Sequence, residues 1–380
     1  MRNADGARTI TDSVAVSRRE VTTSSPGSPV LVAGAGRSHA GAAGERGGGG
    51  VGRRGSGAAG VGRVGEDGGM VEFVVQAEPR DAGGWLEVAR RAERAGFAAL
   101  LVADHPGTGA SPFVALAAAA AVTSTIKLGS YVVNAGVREP LLLAADVATL
   151  DVVSGGRALL GVGAGHTPAE WDAVGRVRPE VRRRVNRCIA VADATTRLLA
   201  GEPVTVATPE LTMVNAGLTA PRPVQDRVPL LVGGANSQLL RWAGGHADIV
   251  GLTGLGRTKA DGHRHEARWR LADIDAQVGQ VHSGARAAAH PARAGGPVLE
   301  ALVQQVAVTD DPAAVLSGYA ERLGMDVAEL REVPFLLVGS ASEIVAGVRR
   351  HRDRWGITRF AVREEALADL APLLPELTAV

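Results

Sequence analysis

The sequence predicts a (β/α)8 TIM barrel over residues 70–380, with one insertion region and a disordered N-terminal segment in front of it. Apolar runs of strand length alternate with helical patterns along this part of the chain. Eight such repeats suit a closed parallel barrel better than an open doubly wound sheet. The predicted strands are also continuously apolar, as expected for strands that are buried on both faces.

The predicted elements follow one another in order. Apolar residues in the first helix, 85–95, recur at helical spacing, and Gly96 stands where that helix would end. The predicted strands are residues 71–75, 97–103, 126–133, 158–162, 229–232, 249–252, 299–308 and 334–338. The other predicted helices are residues 113–122, 141–150, 181–200, 237–244, 311–323 and 342–355. In the insertion region, 256–296, we expect a helix near 265–281 and otherwise a mobile excursion.

The first 69 residues differ in composition from the rest of the chain. They are rich in Gly, Ser, Thr and Arg and show no sustained period, so they cannot bury enough apolar surface to offset the entropy of ordering. Residues 30–36 resemble a strand that enters a dinucleotide loop, but His39 stands where that motif requires its third glycine. We expect residues 1–69 to be a disordered or non-native extension, and Met70 to be the natural start.

Composition argues against several classes of function. With a formal net charge of +1, the chain offers no electrostatic reason to bind nucleic acid or an anionic membrane. Cys188 is the only cysteine, so neither an intramolecular disulfide nor a thiolate metal cluster can form, which suits a reducing cytoplasm. The apolar runs are too short to span a bilayer. No metal site is predicted, because metal-ligand spacing is lacking among His263, His265, His282 and His290.

Functional residues of a TIM barrel lie at the carboxyl ends of its strands. This rule selects the segments that follow the second, third, fourth and fifth predicted strands, and we expect them to meet at one mouth of the barrel. In chain order they contain Asp104 and His105; Tyr131, Val132, Val133 and Asn134; Gly163, Gly165 and His166; and Gly233, Gly234 and Ala235.

The glycines after the fifth strand predict a phosphate site. Gly233 and Gly234, followed by Ala235, leave backbone N–H groups open to a ligand, and the next helix points its positive end at the same place. The alternative is a tight turn that needs glycine only for its backbone dihedral angles. The glycines at 161, 163 and 165 form a similar exit from the fourth strand, although their spacing is not that of a dinucleotide loop.

Two histidines are candidate acid–base groups, because histidine titrates near neutral pH. His105 comes directly after the second strand and His166 after the fourth, so both belong at the mouth of the barrel. The alternative for each is a structural or merely exposed side chain. For Asp104, three roles are open: an acceptor for a ligand, an orienting partner for a neighbour, or a helix cap.

Two segments resemble the signatures of the luciferase-like monooxygenase superfamily. Residues 150–165 contain an L-D-x-x-S-x-G-R turn, a strand and a G-x-G-x-G exit, and Glu170 matches the acidic residue that follows in that family. Residues 229–234, together with Leu240 and residues 247–250, resemble its second signature. The similarity extends over essentially the whole predicted barrel and is weakest in the insertion region.

The resemblance implies a barrel that binds a flavin or the deazaflavin coenzyme F420, with the coenzyme ring against the third strand. Members of the superfamily carry a non-prolyl cis peptide bond there, and the equivalent bond is Tyr131–Val132. Val133 and Asn134 continue this coenzyme-binding strand, and Gly163 and Gly165 of the neighbouring strand belong to the same site.

The pair Asp104-His105 favours the F420 branch. It is similar to the Asp-His pair of F420-dependent dehydrogenases and reductases, in which the histidine lies beside the reactive ring carbon. Residues 333–340 and 355–358 also resemble an uncharacterised F420-dependent subfamily. A glutamate that acts as an acid in sugar-phosphate-oxidising relatives is His166 here, which argues against that substrate class.

The function that the resemblance implies is hydride transfer between coenzyme F420 and a small organic substrate, by a cytoplasmic enzyme that forms a homodimer. Two alternatives stay open. One is an FMN-dependent monooxygenase of the same superfamily, and the other is a non-catalytic protein that stores or carries flavin or deazaflavin.

Overall fold

The structure, a computed structural model, describes residues 9–11, 70–259, 264–289 and 291–380. Eight parallel strands pair in the order β3-β2-β1-β8-β7-β6-β5-β4, and β4 pairs with β3 to close the barrel. They are β1 (Glu72–Gln76), β2 (Ala99–Val102), β3 (Lys127–Ser130, resuming at Val133–Asn134), β4 (Ala158–Gly163), β5 (Leu230–Gly234), β6 (Ile249–Leu252), β7 (Val298–Leu302) and β8 (Ile357–Arg363). The predicted (β/α)8 fold is confirmed.

Helices connect the strands and surround the barrel. The first ends at Gly96, whose φ of 90° is a left-handed conformation that glycine adopts without strain. The helices are α1 (Ala82–Ala95), α2 (Pro112–Ala120), α3 (Pro140–Ser154), α4 (Pro168–Ala173), α5 (Val181–Leu199), α6 (Ser237–His246), α7 (Leu271–Ala287), α8 (Pro312–Leu323), α9 (Val327–Leu330), α10 (Ala341–Trp355), α11 (Leu367–Leu370) and α12 (Leu374–Thr378). Among the described residues, no helix combines the length and the apolar character that crossing a membrane requires.

The position predicted for the eighth strand, residues 334–338, is wrong. Leu336–Gly339 pairs in parallel with Gln305–Val308 in a separate two-stranded sheet, so the predicted run 299–308 also divides between the barrel and this sheet. The true β8 pairs with β7 and β1. It escaped prediction because Arg359 and Arg363 interrupt its apolar pattern.

The insertion region after β6 contains more regular structure than predicted. Leu255–Thr258 and Arg264–Ala267 form an antiparallel hairpin, and Thr9–Thr11 pairs with the second of these strands. The predicted helix exists as α7, but it begins after this hairpin. A second hairpin, Val204–Ala207 with Thr212–Ala216, lies between α5 and β5. Apart from Thr9–Thr11, the predicted N-terminal extension lies outside the described residues.

Two apolar layers bury the strands, one inside the barrel and one between the barrel and its helices. On β2, Ala99 and Leu101 belong to the inner layer, whereas Leu100 and Val102 belong to the outer layer. Alternation between two buried layers explains why the strands are apolar throughout.

The L-D-x-x-S-x-G-R turn holds the amino ends of β3 and β4 together through Asp151 and Arg157, which we call the staple. The buried Arg157 guanidinium donates to Thr123 Oγ1 at 2.9 Å and to the carbonyls of Ser154, Ile126, Ala120 and Thr123. The Asp151 carboxylate accepts from the backbone N–H of Ala158, Val224 and Gln225. These bonds satisfy carbonyl and amide groups where three chain segments converge.

We expect deletion of residues 1–69 to leave the barrel folded with nearly unchanged stability. In the part of the chain that the structure describes, only the three-residue strand Thr9–Thr11 would be lost, and an edge strand this short contributes little. Thermal unfolding of the truncated and full-length chains, compared under the same conditions, measures the difference. A melting temperature lower by several degrees after truncation would contradict this expectation.

Candidate active site

Asp104, at the carboxyl end of β2, fixes the loop that follows β3. Its buried carboxylate receives two hydrogen bonds from Arg138, with Nε at 3.0 Å and Nη2 at 2.7 Å, and a third from the backbone N–H of Asn134 at 3.3 Å. A bidentate pair of this kind is geometrically specific. The hydrogen bond to Asp104 also raises the pKa of Arg138, so the guanidinium stays charged. Asp104 therefore orients its neighbours.

His105, the next residue, is held by a buried carboxylate. Its Nδ1 lies 2.7 Å from Glu170 Oε1, and Asn134 Nδ2 donates to Glu170 Oε2 at 2.6 Å. Burial raises the pKa of Glu170, but the hydrogen bonds from His105 and Asn134 outweigh it and the net pKa is lowered. Glu170 is therefore ionised at neutral pH. Since Nδ1 faces Glu170, proton exchange with a bound molecule would use Nε2.

A row of histidine rings extends from His105. The rings of His105 and His166 meet edge to face with centroids 6.1 Å apart, and His166 meets His265 at 4.7 Å. Two predicted site residues thus lie together, and His265 joins them from the insertion hairpin, which the sequence did not indicate. Within the described ranges, no group of three His, Cys, Asp or Glu side chains could hold a metal ion.

The third strand is interrupted at Tyr131 and Val132, and the peptide bond between them is cis, as the resemblance implies. The Tyr131 side chain belongs to the apolar layer inside the barrel. Val132 lies against β4 and β5, because a Cβ on Gly163 would be 2.5 Å from Val132 Cγ2 and one on Gly233 would be 3.3 Å from Val132 Cγ1. We call these two residues the β3 bulge.

The glycines at the exit of β4 make room for this bulge. A Cβ on Gly161 would overlap the Ser130 carbonyl oxygen, and one on Gly165, whose φ is +67°, would overlap the Asn134 side chain. Close approach of two backbones is a common reason for glycine in a strand. The packing of β3 on β4 therefore accounts for this G-x-G-x-G pattern without a ligand.

The exit of β5 leads into helix α6. Asn236 caps the helix, and its Oδ1 accepts from the backbone N–H of Gln238 at 3.0 Å and of Leu239 at 3.2 Å. The cap thus engages two of the backbone donors at this helix N-terminus. Gly233, Gly234 and Ala235 come just before the cap, at the mouth of the barrel.

Two arginines that the sequence did not single out, the buried Arg184 and the half-buried Arg178, lie near the same mouth. Arg184 donates to the Gly165 carbonyl at 2.6 Å, but its Nε and the Nε of Arg178 have no hydrogen-bond partner. Burial, reinforced by the charge of Arg178, lowers the pKa of Arg184 to about 10. Neither arginine pairs with a carboxylate among the described residues. Buried charges are normally paired, so this side of the mouth carries an excess of positive charge.

Comparisons with known proteins agree with this architecture. The 4-hydroxyprotoasukamycin monooxygenase of Streptomyces nodosus subsp. asukaensis is 35% identical over 165 residues, which are 42% of this chain and 44% of that protein. The 5,10-methylenetetrahydromethanopterin reductase of Methanopyrus kandleri is 32% identical over 170 residues, or 42% and 48% of the two chains. The chain thus matches about half the length of these relatives.

Solved structures share the fold. The coenzyme F420 dependent tetrahydromethanopterin reductase from Methanopyrus kandleri superposes with a TM-score of 0.64 at 21% identity, covering 81% of this chain and 99% of that one. The FMN complex of a type II Baeyer-Villiger monooxygenase component from Pseudomonas putida gives 0.59 at 17% identity, with 81% and 96% covered. The family model of the luciferase-like monooxygenases matches residues 71–359. The chain therefore belongs to the luciferase-like monooxygenase family.

Proposed function

We propose that the protein is an F420-dependent oxidoreductase that transfers a hydride between the deazaflavin coenzyme and a small organic substrate. The observation that carries this proposal is the array of His105, Glu170 and Asn134 beside the β3 bulge. It combines a histidine of fixed orientation with a strand interruption at the mouth of a barrel, where the active sites of this fold lie.

The residues present fit a flavin or deazaflavin coenzyme. The β3 bulge offers a raised surface for a flat ring, and the uncompensated charges of Arg178 and Arg184 suit a phosphate group. Gly233 and Gly234 end β5 at the same mouth. Gln238 Nε2 donates to Asn186 Oδ1 at 2.9 Å, which connects α6 to α5, the helix that carries Arg184. When bound, the coenzyme supplies hydride-transfer chemistry, whereas the protein supplies position and electrostatics.

In this proposal His105 moves the proton that accompanies hydride transfer. Glu170 orients the ring through Nδ1, so Nε2 exchanges a proton with a substrate oxygen. Asn134 holds the second oxygen of Glu170 and its own carbonyl oxygen Oδ1 accepts from the Gly136 N–H at 2.8 Å, which keeps the carboxylate from rotating. His166 packs against the His105 ring and is the next candidate for the proton transfer.

The choice of F420 rests on the Asp104-His105 pair and on the likeness to the F420-dependent reductase. The alternative is an FMN-dependent monooxygenase, which the similarity to the 4-hydroxyprotoasukamycin monooxygenase supports. A second alternative is a carrier that binds the coenzyme without turnover. Parallel titration with F420 and with FMN, followed by intrinsic tryptophan fluorescence, tests the choice. We expect tighter binding of F420, and exclusive binding of FMN would favour the monooxygenase.

We also propose that the protein forms a homodimer through the outer face of α2 and α3. Val114, Leu142 and Val153 on this face are 72%, 68% and 54% exposed. The neighbouring exposed residues Ala117 and Ala118 are apolar as well. Exposed apolar residues on helices that otherwise pack against the barrel are typical of a subunit interface.

Replacement of His105 by alanine should lower turnover by about two orders of magnitude and keep most of the coenzyme affinity, because the change removes a positioned proton-transfer group. Glu170→Gln should lower turnover less, since the ring remains but loses its ionised partner. His282→Ala, an exposed histidine on α7, is the matched control. Steady-state rates and coenzyme titrations on the same folded variants separate the two quantities. A full rate in His105→Ala would assign the proton transfer to another group.

Gly234→Asp should weaken coenzyme binding at least about tenfold, or about 1.4 kcal/mol, because it adds a negative charge beside the phosphate. A side chain is tolerated there, since its Cβ would meet only the flexible end of Leu239 at 3.0 Å. Arg184→Gln should weaken binding similarly. Gly318→Asp, where nothing lies within 4 Å, controls for the substitution itself. Unchanged affinity in a folded Gly234→Asp protein would remove the phosphate from this strand.

Leu142→Glu should convert the homodimer to a monomer, because a carboxylate would be buried without a partner in the interface. Val214→Glu, at an exposed valine of the hairpin between α5 and β5, is the control and should stay dimeric. Light scattering after size-exclusion chromatography gives the mass of each variant. Should the unaltered chain elute as a monomer, this interface would be wrong.

A further inference from the structure

The interior of the barrel contains a buried polar cluster beneath the β3 bulge. Glu300 on β7 is fully buried, and Arg359 on β8 is 5% exposed. Arg359 Nε donates to Glu300 Oε2 at 2.8 Å, and Arg359 Nη1 donates to Glu72 Oε2 at 2.5 Å. Burying charges is unfavourable unless they are paired. Arg359 pairs with one carboxylate oxygen of Glu300, Oε2, and leaves the other oxygen, Oε1, without a charged partner.

The second oxygen of Glu300 faces Tyr131. In the structure, neither Glu300 Oε1 nor the Tyr131 hydroxyl makes a hydrogen bond with a described group, although both atoms are buried. They border the same space beside Gly251 on β6, where a Cβ would lie 3.4 Å from Glu300 Oε1 and 3.7 Å from the Tyr131 hydroxyl. Buried polar groups in folded proteins are almost always satisfied. Arg359 Nη2 is also without a partner, but the Tyr131 hydroxyl is the donor that shares the space beside Gly251 with Glu300 Oε1, so these two atoms are suited to pair.

The protonation states suit this pairing. Burial, reinforced by the neighbouring Glu300 charge, raises the pKa of Tyr131 well above its usual value. The phenol therefore keeps its proton at neutral pH and can only donate to the carboxylate in this pair. Burial also raises the pKa of Glu300, while Arg359 opposes that rise.

Tyr131 connects this cluster to the mouth of the barrel. Its side chain extends into the interior, and the next residue, Val132, lies against Gly163 and Gly233 at the carboxyl ends of β4 and β5. A contact that fixes the Tyr131 side chain from below therefore fixes the height of Val132 at the mouth.

We propose that Glu300 is a positioning residue, which accepts a hydrogen bond from Tyr131 and thereby sets the height of the β3 bulge against which the coenzyme ring lies. This inference rests on the proposed coenzyme site. It assigns a role to a residue at the middle of β7, a strand in which the sequence singled out no site residue.

The competing explanation is that Glu300 serves only to neutralise Arg359. One variant separates these explanations, because it leaves the Glu300–Arg359 pair in place. Tyr131→Phe removes the hydroxyl alone. The control is Tyr319→Phe, whose hydroxyl bonds Gln305 on the outer sheet at 2.7 Å.

The first measurement needs no coenzyme. Unfolding by denaturant of the unaltered chain, Tyr131→Phe, Glu300→Gln and the double variant forms a thermodynamic cycle, in which two groups in contact give non-additive effects. Non-additivity supports the pair. Additive effects of the two substitutions would overturn it.

The second measurement is the affinity for F420 and FMN, together with the circular dichroism of the bound coenzyme. We expect Tyr131→Phe to weaken binding about five- to tenfold and to alter the dichroism, on the scale of one lost hydrogen bond. Tyr319→Phe should change neither quantity. Unaltered affinity and dichroism in Tyr131→Phe would overturn the positioning role while leaving the proposed function intact. If the unaltered chain binds neither coenzyme, the proposed function itself fails, and the cycle still reports on the pair.

Discussion

The close approach of the third strand to the fourth is the constraint on which the candidate site depends. The β3 bulge fits only because Gly161, Gly163 and Gly165 carry no side chains where Ser130, Val132 and Asn134 come near. Once the bulge is in place, Tyr131 enters the barrel and Asn134 reaches Glu170. The orientation of His105 then follows from Glu170. A backbone requirement on one strand thus determines side-chain geometry on two others.

Charge is distributed unevenly around the mouth of the barrel. Asp104 and Glu170 are each satisfied by donors of the protein, which makes the β2–β3 side rigid and electrically balanced. On the β4 side, Arg178 and Arg184 retain unpaired donors. A ligand with a neutral reactive end and an anionic tail matches this asymmetry, because each end meets the environment that suits its charge.

The barrel could be predicted from the sequence almost completely, because buried parallel strands are apolar throughout. The exception, β8, was missed because Arg359 lies inside the barrel and is neutralised by Glu300 and Glu72, which no local pattern reveals. Strand ends identified His105, His166 and Asn134 as neighbours. Other residues near the mouth escaped prediction, since Arg138, Arg184 and His265 lie on a loop, a helix and the insertion hairpin, whose approach to the mouth depends on packing between distant segments.

The staple formed by Asp151 and Arg157 has a consequence for how such chains diversify. It joins chain segments at the amino ends of β3 and β4, on the far side of the barrel from His105 and Glu170. Mutations that change the chemistry at the mouth leave this turn untouched, and mutations in the turn impair folding whatever the chemistry is. The signature turn, which is the most recognisable part of the sequence, therefore indicates common ancestry and a common fold, while the coenzyme and the substrate bound at the mouth can differ between relatives.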